Sequence, residues 1–98
     1  MGYRLIVRPE AESDIAVAYA WYEEQRSGLG REFLQEVEKS LDLIQENPDS
    51  YALIHADLRR ALTRRFPFGV FFVLESEVIF ILAVLHTARH PDSWKRRS

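Results

Sequence analysis

The residues that could do chemistry cluster near the C-terminal end of the sequence, where His86, Arg89, His90 and Trp94 follow one another closely. Histidine exchanges a proton near neutral pH, and an arginine beside it can hold a phosphate group. Together they would be the minimum set for general acid–base cleavage of RNA. Structural roles are more common and are favoured: a histidine at a strand end is usually held by backbone groups, and a tryptophan there usually seals a core edge.

A second group of candidates is the basic segment with Arg59, Arg60, Arg64 and Arg65, whose alternation predicts a strand with guanidinium groups on both faces. Because arginine keeps its charge when buried, one that faces the core needs a carboxylate or several other acceptors. Two interpretations remain open. Arg60 or Arg64 pairs internally with a helix acid such as Glu36, or the segment forms a surface that binds anions.

The charges are unevenly distributed along the chain. Residues 1–57 include 12 acidic and 5 basic side chains and residues 58–98 include 3 acidic and 8 basic ones, within a formal net charge of -2. This asymmetry suggests a basic surface that meets an acidic partner. Solvated helix acids and strand arginines would give the same distribution, so charge alone favours neither explanation.

Other features limit the class of protein. A chain of 98 residues has the length of a single domain, expected to span residues 1–98, and it contains no cysteine. It has no glycine-rich phosphate loop, nucleophile elbow or zinc-protease motif, and His55 and Asp57 are too isolated for a metal site. We therefore expect no cofactor and no metal. Without a signal peptide or a membrane-spanning stretch, the protein is expected to be cytoplasmic.

Hydrophobic periodicity predicts the element order β-α-α-β-β-β. A break at Ser27–Gly30, with Gly28 as a C-terminal cap, joins two helices into an antiparallel hairpin. The stretch from Pro48 to Asp57 is expected to be irregular, and a tail from about Asp92 is expected to fray. The predicted bounds are a strand at residues 3–8, helices from Pro9 to the break and at 31–46, and strands at 58–65, 70–74 and 78–85. This is an α+β fold, a helical hairpin packed on a small, mainly antiparallel sheet.

The last two predicted strands are apolar on both faces. Phe72 and Phe80 cannot pack beneath the helices if Phe71 and Ile79 also do, so both faces of these strands carry large apolar side chains. A small antiparallel sheet normally exposes one face to solvent. We therefore expect either another part of the chain or a partner to cover the second face.

Several short motifs also occur in a specific order along nearly the whole chain. They are Asp14-Ile15, Tyr19-x-Trp21-Tyr22, Gly28-Leu29-Gly30-Arg31-Glu32-Phe33-Leu34, Asn47-Pro48, Leu58-Arg59-Arg60, Arg65-Phe66-Pro67-Phe68, Ala83-Val84-Leu85-His86 and Arg89-His90-Pro91-Asp92-x-Trp94. No single motif is decisive, but the ordered set resembles the ParE/RelE superfamily of bacterial toxins, often called plasmid stabilisation proteins.

This resemblance implies a toxin of a type II toxin–antitoxin system with the same β-α-α-β-β-β fold. It also implies a small cognate antitoxin, whose C-terminal segment wraps the toxin groove and neutralises it in a toxin–antitoxin hetero-oligomer. The superfamily divides by target. RelE-like members cut messenger RNA in the ribosome with a cluster of basic residues and commonly a tyrosine or histidine near the C-terminus. ParE-like members lack that cluster and poison DNA gyrase.

The ParE-like branch is favoured. No tyrosine follows Tyr51 and no lysine lies between Lys39 and Lys95, so the lysines and the late tyrosine of the nucleases have no counterpart. The Arg-His-Pro-x-x-Trp ending is also more similar to the ParE-like branch. The nuclease alternative would need a substitute set made of Arg64, His86, Arg89 and His90.

On the favoured interpretation the function is inhibition of gyrase by binding, without proton transfer. The residues expected to bind the target or the antitoxin are Arg59, Arg60, Arg64, Arg65, Arg89, Trp94, Lys95, Arg96 and Arg97. A third possibility is a relative that has lost toxicity and only binds its partner.

Overall fold

The computed structural model describes residues 2–89 and 93–97. Its elements, in chain order, are β1 Arg4–Val7, α1 Pro9–Gln25, α2 Leu29–Glu46, a 3₁₀ turn Pro48–Ser50, β2 Leu53–His55, β3 Leu58–Leu62, β4 Phe68–Glu75, β5 Val78–His86 and a 3₁₀ helix Ser93–Arg97. This last helix is called the C-terminal segment. It lies within the tail that was expected to fray, and Asp92 itself is outside the described residues.

The strands form one five-stranded sheet in the order β1-β5-β4-β3-β2. β1 is parallel to β5, and every other pair of neighbours is antiparallel. The α+β class and the mainly antiparallel sheet are therefore confirmed. The additional strand β2 lies inside the stretch predicted to be irregular. It has only three residues and pairs with β3 out of regular register, so it is too short to show a strand's alternation.

The main core lies between the helical hairpin and one face of the sheet. Phe33 and Ile44 of α2 and Phe72 and Ile79 of the sheet are fully buried there. An aromatic cluster closes one end of this core, with ring centroids between 4.9 and 6.1 Å apart. Its members are Tyr22, Phe33, Phe66 and Phe68. Burial of these rings makes the hairpin and the sheet one cooperative unit.

The turn between the helices is held by the carboxylate of Glu23. It accepts hydrogen bonds from the backbone N–H groups of Gly28 at 2.9 Å and Gly30 at 3.0 Å, donors that α2 itself cannot satisfy. Gly28 has a φ of 90°, in the left-handed region that favours glycine. The prediction that Gly28 caps the first helix was wrong: α1 ends at Gln25, and Gly28 is the residue immediately before α2.

The second face of the sheet has a smaller apolar cluster. Phe71 and Leu85 are its buried members near the C-terminal segment, and Trp94 stacks on Phe71 with centroids 5.7 Å apart and planes 15° apart. The chain's own residues therefore cover part of this face. Leu62, on the same face of β3 as Leu58 and Arg60, remains 58% exposed, so the described residues cover this face only in part.

We expect Gly30→Ala to lower the free energy of unfolding by about 1–3 kcal/mol, although alanine normally favours a helix. An added Cβ would lie 2.8 Å from the Tyr19 carbonyl oxygen and 2.9 Å from Oε1 of Glu23, so the helices would have to separate. Urea unfolding monitored by circular dichroism measures the change. Gly2→Ala, where no atom lies within 4 Å of the new Cβ, is the control. A Gly30→Ala variant as stable as that control would disprove the close helix approach.

Candidate functional site

The predicted basic residues of β3 and its following turn have different surroundings. The guanidinium of Arg59 donates to the carbonyl oxygens of Tyr51 at 2.6 Å and Asp49 at 3.3 Å, so it ties the stretch before β2 to the sheet. Arg60 is exposed and lies opposite Phe71 in the β3–β4 register, on the second face. Arg59 is therefore used internally, whereas Arg60 is directed to solvent.

Arg64 and Arg65 contact α2 through their backbone. The Glu36 carboxylate accepts the backbone N–H groups of Arg64 at 3.0 Å and Arg65 at 3.3 Å. The proposed pairing of Glu36 with the side chain of Arg60 or Arg64 does not occur among residues 2–89 and 93–97. Glu36 instead fixes the turn that follows β3.

The side chain of Arg65 pairs with Glu32 near the start of α2, at 2.5 Å. Its hydrogen bond to Glu32 lowers the pKa of that carboxyl below its usual value, and Arg26, at 3.5 Å, adds a smaller effect of the same sign. The Arg65 guanidinium also lies over the ring of Phe66, 5.1 Å from its centroid. Arg65 is thus exposed but already engaged.

His86 ends β5 with its ring turned back on the following loop. Nδ1 accepts hydrogen bonds from the backbone N–H groups of Ala88 at 3.1 Å and Arg89 at 3.2 Å. The lone pair of Nδ1 is therefore committed to the backbone. This is the backbone-held histidine favoured by sequence. His90, the other histidine of the nuclease hypothesis, lies outside the described residues.

Arg89 lies over an aromatic side chain of α1 and pairs with no acid among residues 2–89 and 93–97. Its guanidinium carbon is 4.6 Å from the centroid of Trp21, a cation–π contact. Burial raises the pKa of Tyr22, and the cation of Arg89 partly opposes this rise. Arg89 and Tyr22 both line the cavity described below.

The C-terminal segment is fastened to α1 by Arg97. Its guanidinium pairs with both carboxylate oxygens of Asp14, and it also donates to the Leu82 carbonyl at 3.4 Å. Asp14 in addition accepts the backbone N–H of Val84 at 3.0 Å. Because β1 ends at Val7, opposite Ile81, the end of β5 has no strand neighbour on that side. Asp14 and Arg97 occupy this open edge.

A cavity of about 510 Å³ lies between α1, the end of β5 and the C-terminal segment. Its apolar wall includes Val17, Ala18, Trp21, Phe68 and Val84. A second cleft, of about 560 Å³, lies across the C-terminal segment and has acidic and basic residues on its wall. The first cavity is the apolar one, and its size falls within the range of ordinary ligand sites.

The predicted basic residues thus lie in three separate regions of the structure. The cavity brings together Arg89, Arg96 and Arg97 with His86. Arg60 and Trp94 belong to the second face, where the Lys95 ammonium is 5.6 Å from the Trp94 ring. The remainder, Arg59, Arg64 and Arg65, lie along β3 and its turn.

Sequence reasoning about sites did not select Asp14, Trp21 and Tyr22. Asp14 looked like an ordinary acid of a first helical turn. The sequence signal that could have identified Trp21 and Tyr22 was the run Ile15–Tyr22. This run is apolar on nearly every side of α1, so it has more apolar surface than packing against one core requires.

Two features are absent from residues 2–89 and 93–97. No group of three His, Cys, Asp or Glu side chains there is placed to bind a metal ion. None of the helices in those ranges combines the length and apolar character that crossing a membrane requires.

Residues 5–91 match a family model described as ParE toxin of type II toxin-antitoxin system, parDE. Among solved structures, the chromosomal ParDE system from P. aeruginosa is similar, with a TM-score of 0.74, 19% identity, and 86% of this chain and 95% of that chain covered. No curated protein gives a significant match.

Two structures of RelE-type toxins are also similar. A double mutant of E. coli RelE in the free state has a TM-score of 0.62 at 16% identity, with 98% of both chains covered. The RelBE2 toxin–antitoxin complex from Mycobacterium tuberculosis has a TM-score of 0.62 at 16% identity, covering 88% of this chain and 99% of that chain. At such low identities, the structures establish the shared fold.

We expect Asp14→Ala to lower the free energy of unfolding by about 2–3 kcal/mol, because it leaves the Val84 N–H uncapped and Arg97 unpaired. Arg97→Gln should cost less, since the Val84 bond survives. In a double-mutant cycle measured by urea unfolding, the two changes should couple by about 1 kcal/mol. Asp42→Ala, at an exposed position of α2, is the control. Strict additivity of Asp14→Ala and Arg97→Gln would contradict the pair.

The Glu32–Arg65 pair should make stability depend on pH. Because the pKa of Glu32 is lower in the folded state, the pair stabilises the fold above the unfolded pKa, and this is lost as the pH falls through the folded pKa. We expect Arg65→Gln to raise the Glu32 pKa towards its ordinary value. NMR titration of the side-chain carboxyl carbon measures it, with Arg4→Gln as a distant control. An unchanged titration in Arg65→Gln would refute the assignment.

Proposed function

Since this chain belongs to the ParE toxin family of type II toxin–antitoxin systems, we propose that it inhibits DNA gyrase by binding and that a cognate antitoxin neutralises it. The family match over residues 5–91 is the observation that carries this proposal. Likeness of fold alone would not distinguish the branches, because both ParDE and RelE structures are similar to it.

The contacts that the basic residues make support a binding function. Arg59 and Arg97 bind the chain's own carbonyl and carboxylate oxygens, and Arg65 pairs with Glu32. The side chains of Arg60 and Arg64 are exposed and make no ion pair with any described residue. Arg60 and Arg64 are therefore the guanidinium groups proposed to meet gyrase, whereas Arg59 and Arg97 serve the fold.

The second face offers the surface for that contact. Arg60 lies there near Trp94 and Lys95, and Leu62 is 58% exposed beside them on the same strand face. An apolar patch surrounded by cations suits a protein partner with an acidic rim, and burial of aromatic and arginine side chains commonly dominates such interfaces.

A ribosome-dependent mRNA endoribonuclease is the second candidate, favoured by the similarity to RelE over 98% of both chains. In that case Nε2 of His86, or His90, would be the acid or base, with Arg64 and Arg89 holding the phosphate. Nδ1 of His86 already accepts two backbone N–H groups, so that nitrogen is not offered to a substrate. A relative that retains only antitoxin binding is the third candidate.

Purified protein should inhibit supercoiling of relaxed plasmid by DNA gyrase, and the double variant Arg60→Gln/Arg64→Gln should need about tenfold more protein for the same inhibition. Arg4→Gln, at the far end of the sheet, is the matched control and should inhibit like the original chain.

The same preparations, tested for cleavage of mRNA on programmed ribosomes, separate the candidates. Cleavage that disappears in His86→Ala or His90→Ala, without inhibition of supercoiling, would replace the gyrase proposal with the nuclease. Absence of both activities, with antitoxin binding retained, would favour the non-toxic relative.

A further inference from the structure

We propose that the cavity between α1 and the end of β5 binds a small organic anion, a carboxylate attached to an apolar group about the size of a phenyl ring. Its volume of about 510 Å³ is ample for such a ligand. This function is independent of gyrase inhibition and uses different residues from the surface around Arg60.

The charges around the cavity select an anion. Asp14 is the acid on its wall, and its carboxylate is already bound by Arg97 and by the Val84 N–H. Arg89 and Arg96 have no acidic partner among the described residues. Both line this cavity, although Arg96 also borders the second cleft, where Glu10, Asp57 and Glu75 lie, so Arg89 is the stronger candidate to meet an anion. A carboxylate would meet Arg89 without displacing an existing ion pair.

The position of Arg89 beside Tyr22 gives the anion a defined site. Arg89 is held by the face of Trp21, which leaves the N–H donors of its guanidinium for a ligand. Tyr22 lines the same cavity, and its hydroxyl makes no hydrogen bond with any described residue. The Arg89 cation lowers the pKa of Tyr22, against the larger rise caused by burial. A carboxylate at this end can accept from both the guanidinium and the hydroxyl.

The rest of the cavity suits the apolar part of the ligand. Trp21 and Val17 are 40% and 69% exposed on α1, while Phe68 and Val84 form the wall contributed by the sheet. A ring placed between them would remove apolar surface of α1 from water, which contributes about 25 cal/mol for each Å² buried. The apolar wall and the cations thus act on opposite ends of one molecule.

Two sources could supply this chemistry, a free aromatic or branched acid and the C-terminal residue of a partner polypeptide. Both present a carboxylate beside an apolar group. The second would also bring a peptide bond next to the carboxylate. Three probes distinguish the sources: phenylacetate, N-acetyl-L-phenylalanine and the neutral N-acetyl-L-phenylalaninamide.

The experiment is calorimetric titration of the whole chain with each probe, with the Trp21 indole N–H followed by NMR. We expect millimolar or tighter binding of an anionic probe, a shift of the Trp21 resonance, and at least tenfold weaker binding of the amide. Tighter binding of N-acetyl-L-phenylalanine than of phenylacetate would identify a polypeptide terminus, and the reverse order a free acid.

Variants test the assigned contacts. Arg89→Gln should weaken the anionic probe about tenfold and Tyr22→Phe several-fold, because each removes one donor while leaving the aromatic packing of α1. Arg4→Gln should bind like the original chain. Binding of neither acid, equal binding of the amide, or equal losses in Arg4→Gln and Arg89→Gln would each overturn the proposal. Supercoiling assays on these variants report on gyrase separately, so either proposal can fail alone.

Discussion

The carboxylate of Asp14 is the interaction on which the arrangement of this molecule depends. β1 is too short to pair with the whole of β5, so the end of β5 would expose unpaired backbone to water or to another chain. Asp14 covers this edge by accepting the Val84 N–H, and it also binds Arg97. One side chain of α1 thereby fixes the helix, the sheet edge and the C-terminal segment relative to one another.

The apolar character of both sheet faces follows from the same arrangement. One face packs against the hairpin, and the C-terminal segment lays Trp94 on Phe71 of the other. The C-terminal segment thus contacts both sides of the sheet: Trp94 covers part of the second face, and Arg97 reaches Asp14 of α1 at the open edge of β5. Arg60 and Lys95 lie beside the part of the second face that stays exposed around Leu62.

Much of the fold could be predicted because periodicity is a local property. The long helices and strands show it clearly, whereas β2 is too short, and its pairing with β3 arises only in the folded sheet. Gly28 was assigned to the wrong helix because its left-handed conformation suits either side of a tight turn. Glu23 accepts the backbone N–H groups of Gly28 and Gly30 and so places Gly28 at the start of α2, but in the sequence it looks like any solvated acid.

The site was less predictable, since its members are distant in sequence. Arg97 and Asp14 are joined only by the fold, and nothing local distinguishes the internal Arg59 from the exposed Arg60.

The position of β5 also affects how the protein is made. As the last strand in the chain, it lies between β1 and β4, and its pairing with β1 joins Arg4 to Val78. The hairpin can fold from local contacts while translation continues, but the sheet must wait for this long loop to close. A nascent chain that stops before Val78 therefore lacks the interior strand that joins β1 to β4, and its sheet cannot be completed however well the hairpin has formed.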